Sequence, residues 1–508
     1  MGDSKILKYY IRKRSRRSTE DEETKDRLSS LPDAILTDIL SRLTIHSAAT
    51  TSVLSHRWRH LWTTITRLKL GVHETDESTK SNGSTTIDHI LRQITSPKLL
   101  AFDLDYSSML SVIPRFSESE PWFSEICRRN VENFTLNTVE GYPFRIPACL
   151  VNSQSLVSLQ LYGTLKSKLP KNGDSSLCSS FHLPNLKLLT LCTLDNVPNW
   201  LSKLIRSCPN LEDLSLSFEL DYNPPSYFAL GIIAPNLKSM CIRMQPCNEM
   251  QRTRISVDAP KLTNLEIYDW SSIYNFVRNP TALVKARMSL KRLFVGYVVL
   301  VNWGGNCYLE EMSKFVGGLS SVSNLELLLE SHSNIFGCPN SGKLPIFSNV
   351  VNLETNFFKD LLFSLDCFPN LEHLVVSIWS QPADLAMEQR YWLPPNTIPY
   401  CLLSKLRTIK IKGLQAIGDD LRLLAYILSN ANVLEKLCID VRMMDVIKAK
   451  NEREEADIVW KEGQYCRSLF KLPRSSSTCE IVVSGRSVNA FGNALQNGYL
   501  TCQMYVGK

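Results

Sequence analysis

One phrase recurs through the middle of the chain and limits what it can fold into. PNLKLLTL, PNLEDLSL, PNLKSMCI, PKLTNLEI and PNLEHLVV end at Leu191, Leu216, Ile242, Ile267 and Val376. Looser copies read QSLVSLQL, MSLKRLFV and SKLRTIKI. In a strand, alternate side chains face the same way, so the last two apolar residues of each phrase point into a shared interior. One such unit cannot cover that interior, whereas a stack of them can.

The early copies lie about 25 residues apart, and this period in L-x-x-L-x-L phrasing reads as leucine-rich repeats. Residues between the paired apolar positions, Thr190, Ser215, Glu266 and Glu326, should face outward on the concave strand face, and Arg243 and Tyr268 follow on it. These six are the candidate target-binding residues. The regular asparagine of tidy repeats is missing and the spacing varies, so an irregular solenoid is expected. Two inserts, NPPSYFALG before residue 232 and SHSNIFGCPNSGKLPIF before residue 348, are candidates for protein recognition through exposed aromatics. No G-x-x-x-x-G-K or strand-to-helix G-x-G-x-x-G cradles a phosphate.

A different pattern precedes the repeats: DRLSSLPDAILTDILSRLTIHSAATTSVLSHRWRHLWTTI. Pro32 suits the first turn of a helix and Asp33 its positive end. Ile35, Leu36, Ile39, Leu40 and Leu43 form one helical stripe, and Leu54, Trp58, Leu61 and Trp62 a second, with Ser55 as N-cap between two short helices. His56 and His60 share a helical spacing, but no third ligand is near, so no metal site is expected. His56, Arg57 and Arg59 should project away from the tryptophans. Some forty residues without disulfide or metal rarely bury enough surface to stand alone. The stripes therefore need another surface, from this chain or from a second protein.

LPDAIL, IL-x-RL and TSVLS-x-RWR-x-LW together resemble the F-box, which docks on the Skp-type adaptor of Skp–cullin–F-box ubiquitin ligases. The resemblance implies adaptor contacts from Leu31, Pro32, Ile35, Leu36, Ile39, Leu40, Val53, Leu54, Trp58 and Leu61, with Trp58 the strongest single anchor. The sequence does not sort contact residues from internal core. Where plant members commonly carry Pro-Thr-Lys-Asp, this chain has Thr44, Ile45, His46 and Ser47.

Near the C-terminus, PPNTIPYCLLSKLRTIKIKGLQAIGDDLRLLAYILSNANVLEKLCI and LFKLPRSSSTCEIVV resemble the FBD domain of a large plant F-box family, interrupted by the charged stretch AKNEREEAD. It reads as strand, helix, strand and a final strand from Glu480 to Val483, with Leu421, Leu424, Ala425 and Leu428 on one helix face. The fold class is α/β. A helical F-box headpiece precedes an irregular leucine-rich-repeat solenoid, which ends in an α/β FBD cap. The expected organisation is a disordered basic tail over 1–26, F-box 27–66, repeats 67–393, FBD 394–485 and a C-terminal tail 486–508.

Charge and cysteines narrow the function. Of the net charge of +7, residues 1–17 carry seven Lys/Arg against one Asp, so the rest is near neutral and offers no basic face for nucleic acid. The tail IRKRSRR suits a nuclear import signal or a solvated end. Absence of a long apolar run argues against a membrane span, and the nucleus or cytoplasm is expected. Fifteen scattered cysteines with no C-x-x-C read as buried thiols. No catalysis or cofactor is expected. The resemblance implies a substrate-recognition subunit that binds the Skp-type adaptor, cullin through it, and a target protein; a repeat scaffold without a ubiquitin role is the alternative.

Overall fold

The computed structural model describes residues 28, 30–71, 83–105, 116–138, 146–164, 181–193, 197, 199–220, 228–246, 253–269, 272–290, 306–329, 346–356, 361–378, 394–395, 397–414, 418–441, 452–485 and 500–503. The basic tail lies outside the described residues. The chain divides into two compact units, Met1–Tyr142 and Pro143–Lys508.

The first unit opens with helix α1, Asp33–Leu40, entered through Pro32 and carrying Asp33 in its first turn. A helix α2, Ile45–Thr50, follows where the sequence suggested only a linker; the Thr44 hydroxyl accepts the Ser47 amide and caps it. No α-helix starts at Ser55. Residues 55–64 instead wind through i→i+3 bonds, Trp58 N–H to Ser55 and Leu61 N–H to Trp58, into a 3₁₀ turn at Leu61–Thr64. This tighter winding still places Trp58 and Leu61 inside.

Three parallel strands complete the unit: β1, Arg67–Gly71, pairs with β2, Ala101–Asp105, which pairs with β3, Asn133–Asn137. Helices α3, Gly83–Gln93, and α4, Phe116–Arg128, lie between them in sequence. Each strand follows the repeat frame under a disguise: Ile65-Leu68-Leu70, Leu99-Phe102-Leu104 and Val131-Phe134-Leu136 are all buried. Buried Arg129 donates to the carbonyls of Ile94 and Ser96 at 2.8 and 2.9 Å, just beyond the end of α3, and pairs with Glu125 at 2.8 Å. The headpiece is stitched to these strands: the Ser96 hydroxyl donates to the carbonyls of Thr64 and Ile65, and the Thr66 amide to the Ser41 hydroxyl.

In the second unit the Pro-Asn-Leu and Pro-Lys-Leu phrases lead into strands of one parallel sheet, beginning with β4, Ser158–Tyr162, β5, Leu188–Thr193, and β6, Asp213–Leu220. After β7, Phe228–Ile233, come β8, Ser239–Pro246, β9, Thr253–Asp258, β10, Asn264–Asp269, β11, Ile273–Phe276, and β12, Lys285–Leu290. Here β6, β8, β10 and β12 continue the sheet, while β7, β9 and β11 pair as a second, three-stranded parallel sheet. The main sheet runs on through β13, Asn324–Leu329, β14, Asn352–Thr355, and β15, His373–Ser377.

Two expectations change here. The insert NPPSYFALG supplies β7, where Leu230 and Ile232 alternate into the core, so the described part of it is sheet rather than an exposed loop. MSLKRLFV was framed wrongly: the strand is KARMSL, in register with β10 and β13 through Ala286 and Met288, because Ala and Met stand at the leucine positions. Most of the second insert lies outside the described residues.

The FBD segment caps the repeats by extending the same ladder. Strands β16, Thr408–Leu414, β17, Lys436–Val441, and β18, Glu480–Gly485, pair in parallel onward from β15. A final strand β19, Leu500–Gln503, runs antiparallel and falls within the expected C-terminal tail. The helix Gly418–Asn430 buries Leu423, Leu424, Ile427 and Leu428, a face rotated from the expected one so that Leu421 and Ala425 are only half-buried. The charged stretch is more than an interruption: from Glu452 it opens a helix, Glu452–Phe470.

An asparagine series is present after all, at a different place in the repeat. The side chains of Asn185, Asn210, Asn236, Asn349 and Asn370 donate to the carbonyls of Gln154, Pro184, Pro209, Ser320 and Ser348 at 2.7, 2.8, 2.9, 3.0 and 2.8 Å. The Asn of Pro-Asn-Leu, and Asn349 in the equivalent Ser-Asn-Val, thus satisfies a backbone acceptor one repeat back, which explains its recurrence.

Candidate functional site

The headpiece divides its apolar residues into two sets. Leu36, Leu40, Trp58 and Leu61 are buried in the protein's own core with Ile45, Ala48 and Ile65. Val53 is 85 % exposed, Leu54 63 % and Ile35 47 %, and Pro32 is exposed too. Leu31 and Ile39 are half-buried. Of the ten candidates, only the exposed and half-buried ones are open to a partner in the chain as it stands. Trp58, at 2 % exposure, holds the headpiece together from inside.

The sequence reading also missed a brace. Arg57 does not simply project into solvent: its Nε donates to Asp33 Oδ1 at 2.8 Å, and it donates to the Leu31 carbonyl. This clasp joins the Ser-x-x-Trp segment to the Leu-Pro segment at the entrance to α1.

All six candidate face residues lie on one side of the main sheet. Thr190, Ser215, Glu266 and Glu326 share one register row, completed by Cys241 between Ser215 and Glu266 and by Arg287 between Glu266 and Glu326. Arg243 and Tyr268 pair in the next row. The Arg243 guanidinium carbon lies 5.0 Å from the centre of the Tyr268 ring, and the side chain is 4.0 Å from Glu266. Arg287 donates to Glu326 and, at 3.3 Å, to the Tyr268 hydroxyl; these bonds, Tyr268 foremost, raise its pKa further above the ordinary guanidinium value. Arg287 was missed because its strand was framed wrongly.

Where small side chains on β6 and β8 meet long ones on β10 and β12, the face dips into a hollow of about 340 Å³. Cys241 borders it, and burial raises the thiol pKa above its usual value. Elsewhere burial pushes Cys208 and Cys401 up to about 12 and Cys367 to about 11, so these thiols stay protonated and pack as small hydrophobes. Among the described residues no helix is long and apolar enough to cross a membrane.

Comparison with known proteins follows the same divisions. The F-box domain model matches residues 28–70, a model of the LRR repeats of the FBD-associated F-box protein At5g56370 matches 119–288, and the FBD model matches 394–439. The F-box/FBD/LRR-repeat protein At5g22660 of Arabidopsis thaliana is 27% identical over 476 residues, covering 90% of this chain and 96% of its own. F-box/FBD/LRR-repeat protein At1g78750 of the same plant is 26% identical over 490 residues, with 90% and 96% covered. A headpiece matching the F-box, a sheet built on leucine-rich phrases and an FBD segment that prolongs it occur in one chain, the combination that the names of these Arabidopsis relatives describe.

Proposed function

We propose that this protein is the substrate-recognition subunit of a Skp–cullin–F-box ubiquitin ligase. Exposed Pro32, Ile35, Val53 and Leu54, with half-buried Leu31 and Ile39, dock a Skp-type adaptor, and cullin is reached through it. The strand face carrying Thr190, Ser215, Arg243, Glu266, Tyr268 and Glu326 binds the target protein. The chain contributes no chemistry of its own. It raises the target's effective concentration near a charged ubiquitin-conjugating enzyme.

The observation that carries the reading is the exposure of Val53 and Leu54 beside a headpiece core that is already complete without them. Large apolar side chains held in water by an ordered segment gain free energy when a partner covers them, roughly 1.5–3 kcal/mol for each fully buried one. Copurification of a Skp-type adaptor with the intact chain, compared with a Val53→Asp/Leu54→Asp variant, tests it. Adaptor retained equally by both would remove Val53 and Leu54 from the docking surface, and no adaptor with the intact chain would leave a repeat scaffold without a ubiquitin role as the better reading.

A further inference from the structure

The hollow on the strand face has a chemistry of its own. Its lining includes Ser215, Ser239, Asn264, Arg243, Glu266 and Lys285, residues whose side chains carry hydroxyl, amide and charged groups. Register explains the shape. Ser239, Asn264 and Lys285 align across β8, β10 and β12, while Ser215 precedes Cys241 and Glu266 in the adjacent row. Short Ser215, Ser239 and Cys241 leave space that the longer Arg243, Glu266 and Lys285 wall in.

The charges do not cancel. Glu266 faces Arg243 at 4.0 Å, and Arg243 also lies against the Tyr268 ring, so these two form one neutral wall. Lys285 is exposed, and no acidic side chain among the described residues lies within ion-pair distance of it. One positive charge is left over, flanked by neutral groups that can donate hydrogen bonds.

We infer that this hollow receives a single carboxylate side chain, Asp or Glu, of the target protein, with Lys285 as its ionic partner. The inference rests on the reading that this face binds the target. A carboxylate accepts about four hydrogen bonds, which the ammonium, two hydroxyls and an amide can supply. A phosphoryl group brings close to two negative charges and would leave one uncompensated beside Glu266. An apolar side chain would cover the hydroxyls without giving them partners, which is unfavourable. The excess of one positive charge therefore matches a monoanion.

The test uses immobilised full-length protein and fluorescent nonapeptide pools, random except for a central Asp, Glu, Asn, Gln, Lys or phosphoserine. Retention of the Asp and Glu pools should exceed that of the Asn and Gln pools by about tenfold, the equivalent of one good charged contact. Lys285→Gln should erase this preference and Lys285→Glu should turn it toward the Lys pool. Equal retention of all pools, retention of none, preference for phosphoserine, or an unchanged profile in Lys285→Glu each overturns the inference. Circular dichroism of the variants reports folding. Adaptor binding by the same preparations separates the two readings: adaptor bound without carboxylate preference removes this inference alone, and carboxylate preference without adaptor binding removes the ligase role alone.

Discussion

Arg57 reaches back across 24 residues to the carboxylate of Asp33, 2.6 Å away, and so ties the two ends of the headpiece together. Both side chains are substantially exposed, which limits the pair to about 0–1 kcal/mol. Its value lies in holding the Leu31–Pro32 entrance against the Trp58 segment. Arg57→Ala should leave global unfolding by urea nearly unchanged while speeding amide hydrogen exchange at residues 33–40. Unaltered exchange there would mean that the clasp holds nothing in place.

Trp58 and Leu54 differ by four positions and by opposite surroundings. Trp58→Ala empties a buried site and should cost about 3–5 kcal/mol, seen as early unfolding of the first unit. Leu54→Ala removes a side chain that is 63 % exposed and should shift stability by less than about 0.5 kcal/mol. Urea titration followed by tryptophan fluorescence and circular dichroism checks both.

The asparagine series predicts a graded loss of stability. Asn210→Ala and Asn236→Ala each remove a side-chain donor from a proline carbonyl one repeat back, at about 0.5–1.5 kcal/mol apiece. The measurement is the urea midpoint of the second unit. Midpoints equal to that of the unaltered protein would reduce the series to coincidence.

Acid should loosen the first unit. The Arg128 guanidinium bonded to Glu125, with Arg129 adding a second bond, holds that carboxyl at about 2 against an ordinary 4.5. A carboxyl with a depressed pKa stabilises the fold fully above its unfolded value, and that contribution disappears as pH falls toward the folded value. The loss therefore runs from about pH 4.5 down to about 2, and partial exposure screens it to about 1 kcal/mol. In Glu125→Gln the urea midpoint of this unit should depend less on pH across that window.

Legibility in the sequence followed the strength of the local pattern. Five Pro-Asn-Leu or Pro-Lys-Leu phrases placed their strands well because alternation and a shared lead-in point the same way. The frames at Val131-Phe134-Leu136 and Ala286-Met288 were hidden by Phe, Ala and Met, which occupy leucine sites without resembling the phrase. The row through Glu266 was readable from period two alone, yet Arg287 entered it only once the register was known. In the headpiece, periodicity marks a face as apolar without saying what covers it. Leu36 and Ile35 are neighbours in one stripe, and only their packing assigns the first to the core and the second to the surface. Arg57 was beyond reach for a similar reason, since its partner is remote in sequence.

In the proposed function the exposed edge of the headpiece is covered by an adaptor. The most direct measurement is the affinity of a purified Skp-type adaptor for the full chain and for its Val53→Asp/Leu54→Asp variant, with circular dichroism and urea midpoints recorded for both. Binding should weaken by at least about a hundredfold while folding is unchanged, since two apolar contacts of about 1.5–3 kcal/mol each are replaced by desolvated charge. Equal affinity in a folded variant would contradict it.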